Sequence, residues 1–299
     1  MTGHARASHW RPVLLAAPAL LLLGLFFVVP LAFLVRVSLY RGGGQSGFGI
    51  GGFYQPGTFT LAHYQTLLGE RYFGAVWVFT LELALLVTGL CLLLGYPLAL
   101  AIHHLPRCAR AFALGAVLLP KLTNLLVMVY GLELLLGDAG PINAAFIGLG
   151  LSRSGEPLPL LHHLAGVVIG KAYLILPYAV LVLVAALGRI DPALVPAARG
   201  LGATPLRAFL RITLPLSLGG LGLAALISFI WAMGAFVSPY LLGSPDEITL
   251  AVDVQRQVFE NVNWPRGAAE AVLLLITLAA CAALVTVPRR WQGRGRRVS

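Results

Sequence analysis

Charge is what this chain has least of: only 11% of its 299 residues are Asp, Glu, Lys or Arg. Soluble domains run near a quarter charged, so an ordinary soluble domain is excluded. Cysteine is nearly as scarce. Cys91 and Cys281 sit in apolar runs and Cys108 in a short basic segment, a trio that builds neither a disulfide framework nor a metal site. His103 and His104 are adjacent and lack metal-ligand spacing, so they read as solvated loop histidines. A nucleotide fingerprint is missing too. Gly166 to Ala172 is one spacer short of a P-loop, lacks its Ser or Thr, and lies inside an apolar run. No convincing internal repeat is present, which disfavours an inverted-repeat carrier.

What is abundant is apolar length. The chain is 59% hydrophobic, with a mean hydropathy of +0.87. A membrane crossing needs roughly 20 apolar residues. Six such runs are expected, near 13–38, 75–102, 111–137, 162–188, 214–242 and 268–288. The first is longer than the roughly 7–15-residue core of a signal peptide and no small-residue cleavage site follows, so it reads as a retained span.

Arginine placement gives an orientation. Arg6 and Arg11 precede the first run, and Arg107 and Arg110 separate the second from the third. Arg189, Arg199, Arg207 and Arg211 lie between the fourth and fifth, and the tail carries Arg289, Arg290, Arg294, Arg296 and Arg297. Acids collect in the alternate loops: Glu70, Asp138, Glu156, Asp246, Glu247, Asp253 and Glu260. Both termini are therefore expected in the cytoplasm. The organisation is a cytoplasmic N-terminus over 1–12, a six-span domain over 13–288 with a connecting loop at 189–214, and a basic tail over 289–299. Topology explains the net charge of +10, and the tail reads as juxtamembrane anchoring in lipid rather than a nucleic-acid contact.

Between the spans, residues 41–71 start with a glycine-rich stretch, a flexible loop, and continue into a short amphipathic helix near 61–68. Gly140-Pro141-Ile142-Asn143 is turn chemistry leading into a short helix. Apolar spacing at Ile248, Val252, Val254 and Val258 suits a helix along the membrane surface. Gly44-Gln45-Ser46-Gly47 matches the G-x-S-G of rhomboid-type intramembrane proteases. That chemistry needs a buried serine, however, and this one lies in an extramembrane glycine loop.

A few polar residues interrupt the apolar runs. Glu82, Lys121, Glu133, Lys171 and Glu270 lie in or near them. A charge at a helix centre costs about 2.5–3.5 kcal/mol on insertion scales, so lipid-facing positions are disfavoured. For Glu82 and Glu133 two readings stand side by side: a polar translocation path, or mutual pairing such as Glu133 with Lys171. For Glu270 pairing or snorkelling is favoured. Tyr130, Trp231 and Phe236 are candidates for lining the path; Trp231, Phe236 and Tyr240 at helical spacing equally suit packing or interface anchoring, and the break at Met233-Gly234-Ala235 could open the fifth run or admit close packing.

The loop 189–214 carries two sets of helix punctuation. Asp191 can cap a helix starting at Pro192, and Gly200 or Gly202 can end it in a left-handed turn. Thr204 then caps a second helix starting at Pro205. Two short helices hinged at glycine form an element suited to docking another protein. Ala197 and Ala198 keep one face small.

At these residues the chain resembles the transmembrane subunits of binding-protein-dependent ABC importers. Their signature is E-A-A, three residues, Gly, nine residues, Ile, one residue, Leu-Pro. Here it runs Pro196-Ala197-Ala198, Gly202, Ile212-Thr213-Leu214-Pro215, with Pro196 in place of the glutamate. Gly234-Ala235-Phe236-Val237-Ser238-Pro239-Tyr240-Leu241-Leu242-Gly243 is similar to the G-A-F-V-T-P-x-L-L-G of spermidine/putrescine permeases, and Gly140 to Asn143 to their G-x-I-N. In the third run their V-R-T-Y-A-W is replaced by Val127 to Leu132.

The resemblance implies an all-α integral membrane protein with six transmembrane helices, the type I ABC importer permease fold, and cytoplasmic coupling helices. It implies a non-catalytic permease of the bacterial inner membrane. Pro196, Ala197, Ala198, Arg199, Gly200, Gly202, Ala203 and Arg207 would contact a dimer of ATPase subunits, which bind ATP and Mg, this chain holding no cofactor. A second permease subunit and a soluble solute-binding protein complete the set. A polyamine is the expected solute, with a thiosulfate-type anion or another small amine as the alternative. An intramembrane protease and an ion-driven carrier stand outside that class.

Overall fold

The computed structural model describes residues 10–42, 53–150 and 156–295, with side chains described over 16–42, 53–150 and 156–284. The glycine-rich stretch 43–52, with its Gly-Gln-Ser-Gly, lies outside the described residues. Among the described residues, six helical stretches are long and apolar enough to cross a membrane: Ala16–Ser38, Arg71–His104, Leu125–Gly148, Leu164–Leu187, Pro205–Gly234 and Trp264–Leu284. Packing divides the chain into two units, residues 1–69 with 256–273 and residues 70–255 with 274–299.

In the first unit, α1 (Trp10–Leu23) runs through a π turn, Gly24–Val28, into α2 (Val29–Ser38). A small antiparallel hairpin follows, β1 (Tyr40–Gly42) against β2 (Tyr54–Phe59), with Arg41 opposite Gln55. The sequence reading missed it, because the strands are short and separated by glycines. Tyr40 stacks on Tyr54 at 5.5 Å. The short helix expected near 61–68 is α3 (Ala62–Gly69), tied to α2 by the hydroxyls of Ser38 and Tyr64 at 2.6 Å. Glu270, fully buried, takes the Nε–H of Arg266 at 3.2 Å, the pairing expected of it.

The second unit is built on α4 (Arg71–His104). Its 34 residues span roughly 50 Å, well beyond the roughly 30 Å apolar core of a bilayer. His103 and His104 therefore sit on its last turn rather than in a loop. After α5 (Arg107–Leu118) the chain tightens into a 3₁₀ turn, Leu119–Leu122, and Asn124 caps α6 (Leu125–Leu136) by accepting the Leu126 N–H at 2.8 Å. This corrects the span expected at 111–137. Pro120 and Asn124 stop one helix and start another, and the stretch long and apolar enough to cross is Leu125–Gly148. The short helix α7 (Pro141–Gly148) is held by Asn143, which is fully buried. Its amide donates to the carbonyls of Gly137 and Leu158 at 3.1 and 3.2 Å, and its oxygen accepts from Leu158 N at 2.8 Å.

Three helices carry the core: α4, α8 (Leu164–Leu187) and α11 (Leu214–Gly234). Leu83, Val87 and Cys91 meet Ile175, Ala179 and Met233 there. Small residues set the spacing, as expected where lipid supplies no hydrophobic drive and dispersion must hold helices together. A side chain on Gly220 would overlap Ala186 Cβ, so α8 and α11 touch nearly backbone to backbone. The run Gly166 to Gly170, which missed being a P-loop, is such a packing face. Beyond the break at Ala235 and Phe236, the half-helix α12 (Val237–Leu242) lies on it, Leu242 close to Gly170 and Ser238 Oγ donating to Val167 O at 3.3 Å.

The helix expected at 248–258 is α13 (Leu250–Phe259), and Leu250, Val252, Asp253 and Gln257 bury one side of it against the rest of the chain. Leu250 N donates to Thr80 Oγ1 at 2.8 Å, and Tyr72 OH to Asp253 Oδ1 at 3.3 Å. Apolar spacing could not reveal this, because the buried contacts of α13 are partly polar. The last helix is α14 (Trp264–Gly295).

Candidate functional site

The loop between α8 and the fifth span folds as two helical pieces. Asp191 caps the turn that opens at Pro192. Its carboxylate accepts the Ala193 N–H at 2.9 Å, and α9 (Leu194–Gly200) begins one residue later. At the far end Ala203 N bonds Ala198 O and Gly202 N bonds Arg199 O, both at 3.0 Å, with Gly202 at φ +85°. That pair of bonds around a left-handed glycine closes the helix, and it selects Gly202 over Gly200 as the hinge. Thr204 Oγ1 accepts the Arg207 N–H at 3.3 Å and opens α10 (Pro205–Ala208). Here the sequence reading of a separate second helix needs correction. Through a π turn, Phe209–Thr213, α10 runs on into α11, so the hinge is mechanically continuous with the fifth span.

Pro196, Ala197, Arg199, Gly200, Gly202 and Arg207 are exposed, Ala198 and Ala203 half-buried. The most exposed apolar side chain of the loop is Leu201, at 91%, with Leu206 at 67%. Both were overlooked as docking residues, because a leucine in an apolar chain carries no signal until its exposure is known. Behind the loop, a groove of about 510 Å³ is lined by His103, Pro196, Arg199, Pro205, Phe209 and Thr213.

The path candidates are dispersed. Glu82 and Tyr130 are exposed and Glu133 is half-buried. Among the described residues no side-chain hydrogen bond or ion pair joins them to one another. The pairing of Glu133 with Lys171 does not form: Lys171 Nζ donates to Ala232 O at 2.9 Å. Trp231 and Phe236 are 50% and 43% exposed. Trp231 stacks on Tyr178 of α8 at 5.1 Å, with ring planes 16° apart. Tyr178 was not foreseen, since it follows Pro177 in an otherwise apolar run. Among the described residues no cluster of His, Cys, Asp and Glu could hold a metal ion.

Residues 13–295 match the family described as binding-protein-dependent transport system inner membrane component. The chain belongs to that family. It is a non-catalytic permease subunit of an ABC importer, a multi-pass protein of the inner membrane. Among curated relatives, the spermidine/putrescine transport system permease protein PotB of Escherichia coli (strain K12) is 34% identical over 220 residues, 74% of this chain and 79% of its own length. Solved structures share the fold. A bacterial ABC transporter involved in import of the acidic polysaccharide alginate gives a TM-score of 0.63 at 17% identity, covering 97% of this chain and 96% of that one. The bacterial alginate ABC transporter in complex with its alginate pentasaccharide-bound periplasmic protein gives 0.66 at 18% identity, covering 92% of each. In this permease the sequence signature and the hinge at Gly202 coincide.

Proposed function

We propose that this permease imports polyamines of the spermidine and putrescine type. The observation that carries the solute is the 34% identity to PotB over 220 residues. The exposed Glu82 and half-buried Glu133 support it, since carboxylates that pair with no side chain among the described residues suit a polycation. A second permease subunit encloses the path with this one, a solute-binding protein delivers cargo outside, and both termini are cytoplasmic. An ATPase dimer holding ATP and Mg docks on the hinged loop through Pro196 to Ala203, Arg207, Leu201 and Leu206. Closure of that dimer pulls α9 and α10, and continuity of α10 with α11 carries the movement into the fifth span. The site inside the path binds weakly, because a tight site would hold the solute in one conformation.

The test is uptake of labelled spermidine into proteoliposomes holding this chain with its genomic neighbours. ATP is supplied on the ATPase side and the binding protein on the other. Saturable, ATP-dependent accumulation inhibited by putrescine and not by thiosulfate supports the proposal. ATPase activity stimulated by the binding protein without spermidine uptake would leave the importer and remove the polyamine.

A further inference from the structure

Tyr178 has a second contact besides Trp231. The ammonium of Lys121 lies 4.5 Å from its ring centroid and donates to the carbonyl of Leu174. Leu174 and Tyr178 are one helical turn apart on α8, so a carbonyl oxygen and a π face converge on one spot. Among the described residues no carboxylate pairs with Lys121. A half-buried ammonium is thus held by a ring face and a carbonyl, the two groups that would hold a free alkylammonium.

Lys121 also sits where it can leave. It is carried by the single 3₁₀ turn Leu119–Leu122, next to the extended Thr123, on a flexible four-carbon stem. Its departure requires no movement of a spanning helix. Trp231, stacked on the same Tyr178, is half exposed, which places the pair at the surface of this chain rather than in its core.

We propose that the Tyr178 ring face and the Leu174 carbonyl form an ammonium subsite on the solute path, filled by Lys121 at rest and by a primary amine of the solute in passage. The subsite rests on the polyamine reading for its cargo. The tethered ammonium competes at high effective concentration, and apparent affinity falls by the fraction of time the subsite is open. Weak binding of this kind lets a path release what it carries.

Two readouts on the assembled transporter in nanodiscs and proteoliposomes test this. The first is acetylation of Lys121, followed by mass spectrometry with reagent in excess over added putrescine or n-butylamine. The second is the kinetics of putrescine uptake. Either amine should raise Lys121 acetylation about threefold, and Tyr178→Leu should raise the baseline and abolish the response. Lys121→Met, or Lys121→Gln if Met does not assemble, should lower KM for putrescine about fivefold without raising kcat.

Uptake with unchanged Lys121 acetylation overturns the subsite and leaves the polyamine reading intact. No putrescine uptake, with n-butylamine still exposing Lys121, keeps the subsite and removes the polyamine. Neither uptake nor a change in acetylation removes both.

Discussion

Lys171 donates its ammonium proton to the carbonyl of Ala232 at 2.9 Å, and neither residue is exposed at all. Ala232 lies in the last turn of α11, and the residue whose N–H would complete its helical bond, Phe236, lies in the break itself. Lys171 thus satisfies a carbonyl orphaned by the end of a helix. The break in the fifth span is stabilised from α8, by Lys171 on one side and by Gly170 and Ser238 on the other.

Removing that side chain should expose which part of it matters. Lys171→Ala loses both the buried stem and the donor, at a cost of about 2–4 kcal/mol. Lys171→Met keeps the volume and no longer buries an ammonium, so it should lose only about 1 kcal/mol. Thermal unfolding of the two purified variants in detergent checks this. Equal losses would mean that the hydrogen bond, not the packing, holds the break.

Gly170 faces the opposite test, too much side chain. A Cβ there would meet Ser238 Oγ and, at 2.6 Å, Leu242 Cδ1. Gly170→Val should push α12 off α8 and cost about 1–3 kcal/mol, typical of overpacking. Gly234→Ala, where nothing lies within 4 Å of the added carbon, should change the melting midpoint far less. A Gly170→Val protein as stable as the parent would show that the half-helix is free to move.

The hinge depends on backbone conformation alone. Gly202 is at φ +85°, and an added Cβ would meet nothing within 4 Å. Gly202→Val should therefore strain the turn and abolish transport while the chain still inserts. Gly202→Asn, which tolerates the left-handed region, should retain most of it. Uptake and membrane abundance measured together decide the point, and full uptake by Gly202→Val would remove the hinge from the mechanism.

Leu201 separates docking from folding. An apolar side chain 91% exposed contributes within about 0.5 kcal/mol to the stability of the isolated chain. Leu201→Asp should keep the parent's melting behaviour and lose co-purification with the ATPase subunit. Undiminished co-purification would place the docking surface elsewhere on the loop.

Much of this was legible before any coordinates. Run length and hydropathy give six crossings, since the bilayer imposes a length on each helix. Asp191, Gly202, Thr204 and Pro205 specify a hinged pair of turns because caps and left-handed glycines act locally. The boundaries of the third crossing were misjudged because apolar residues continue through Pro120 and Asn124, and hydropathy averages over such stops. The burial of α13 was missed for the converse reason. Asp253 and Gln257 look like surface residues until their partners are in place.

The sequence by itself determined the membrane class, the number of crossings, the signature of the loop and hence the family, because these depend on composition and on interactions within a few residues. Only the tertiary structure decided that Lys171 caps a broken helix instead of pairing with Glu133, that Lys121 sits on Tyr178, and that α10 is continuous with the fifth span. Each of the two lysine contacts joins residues more than fifty positions apart. What a buried lysine meets is set by how helices pack, which a linear pattern does not encode.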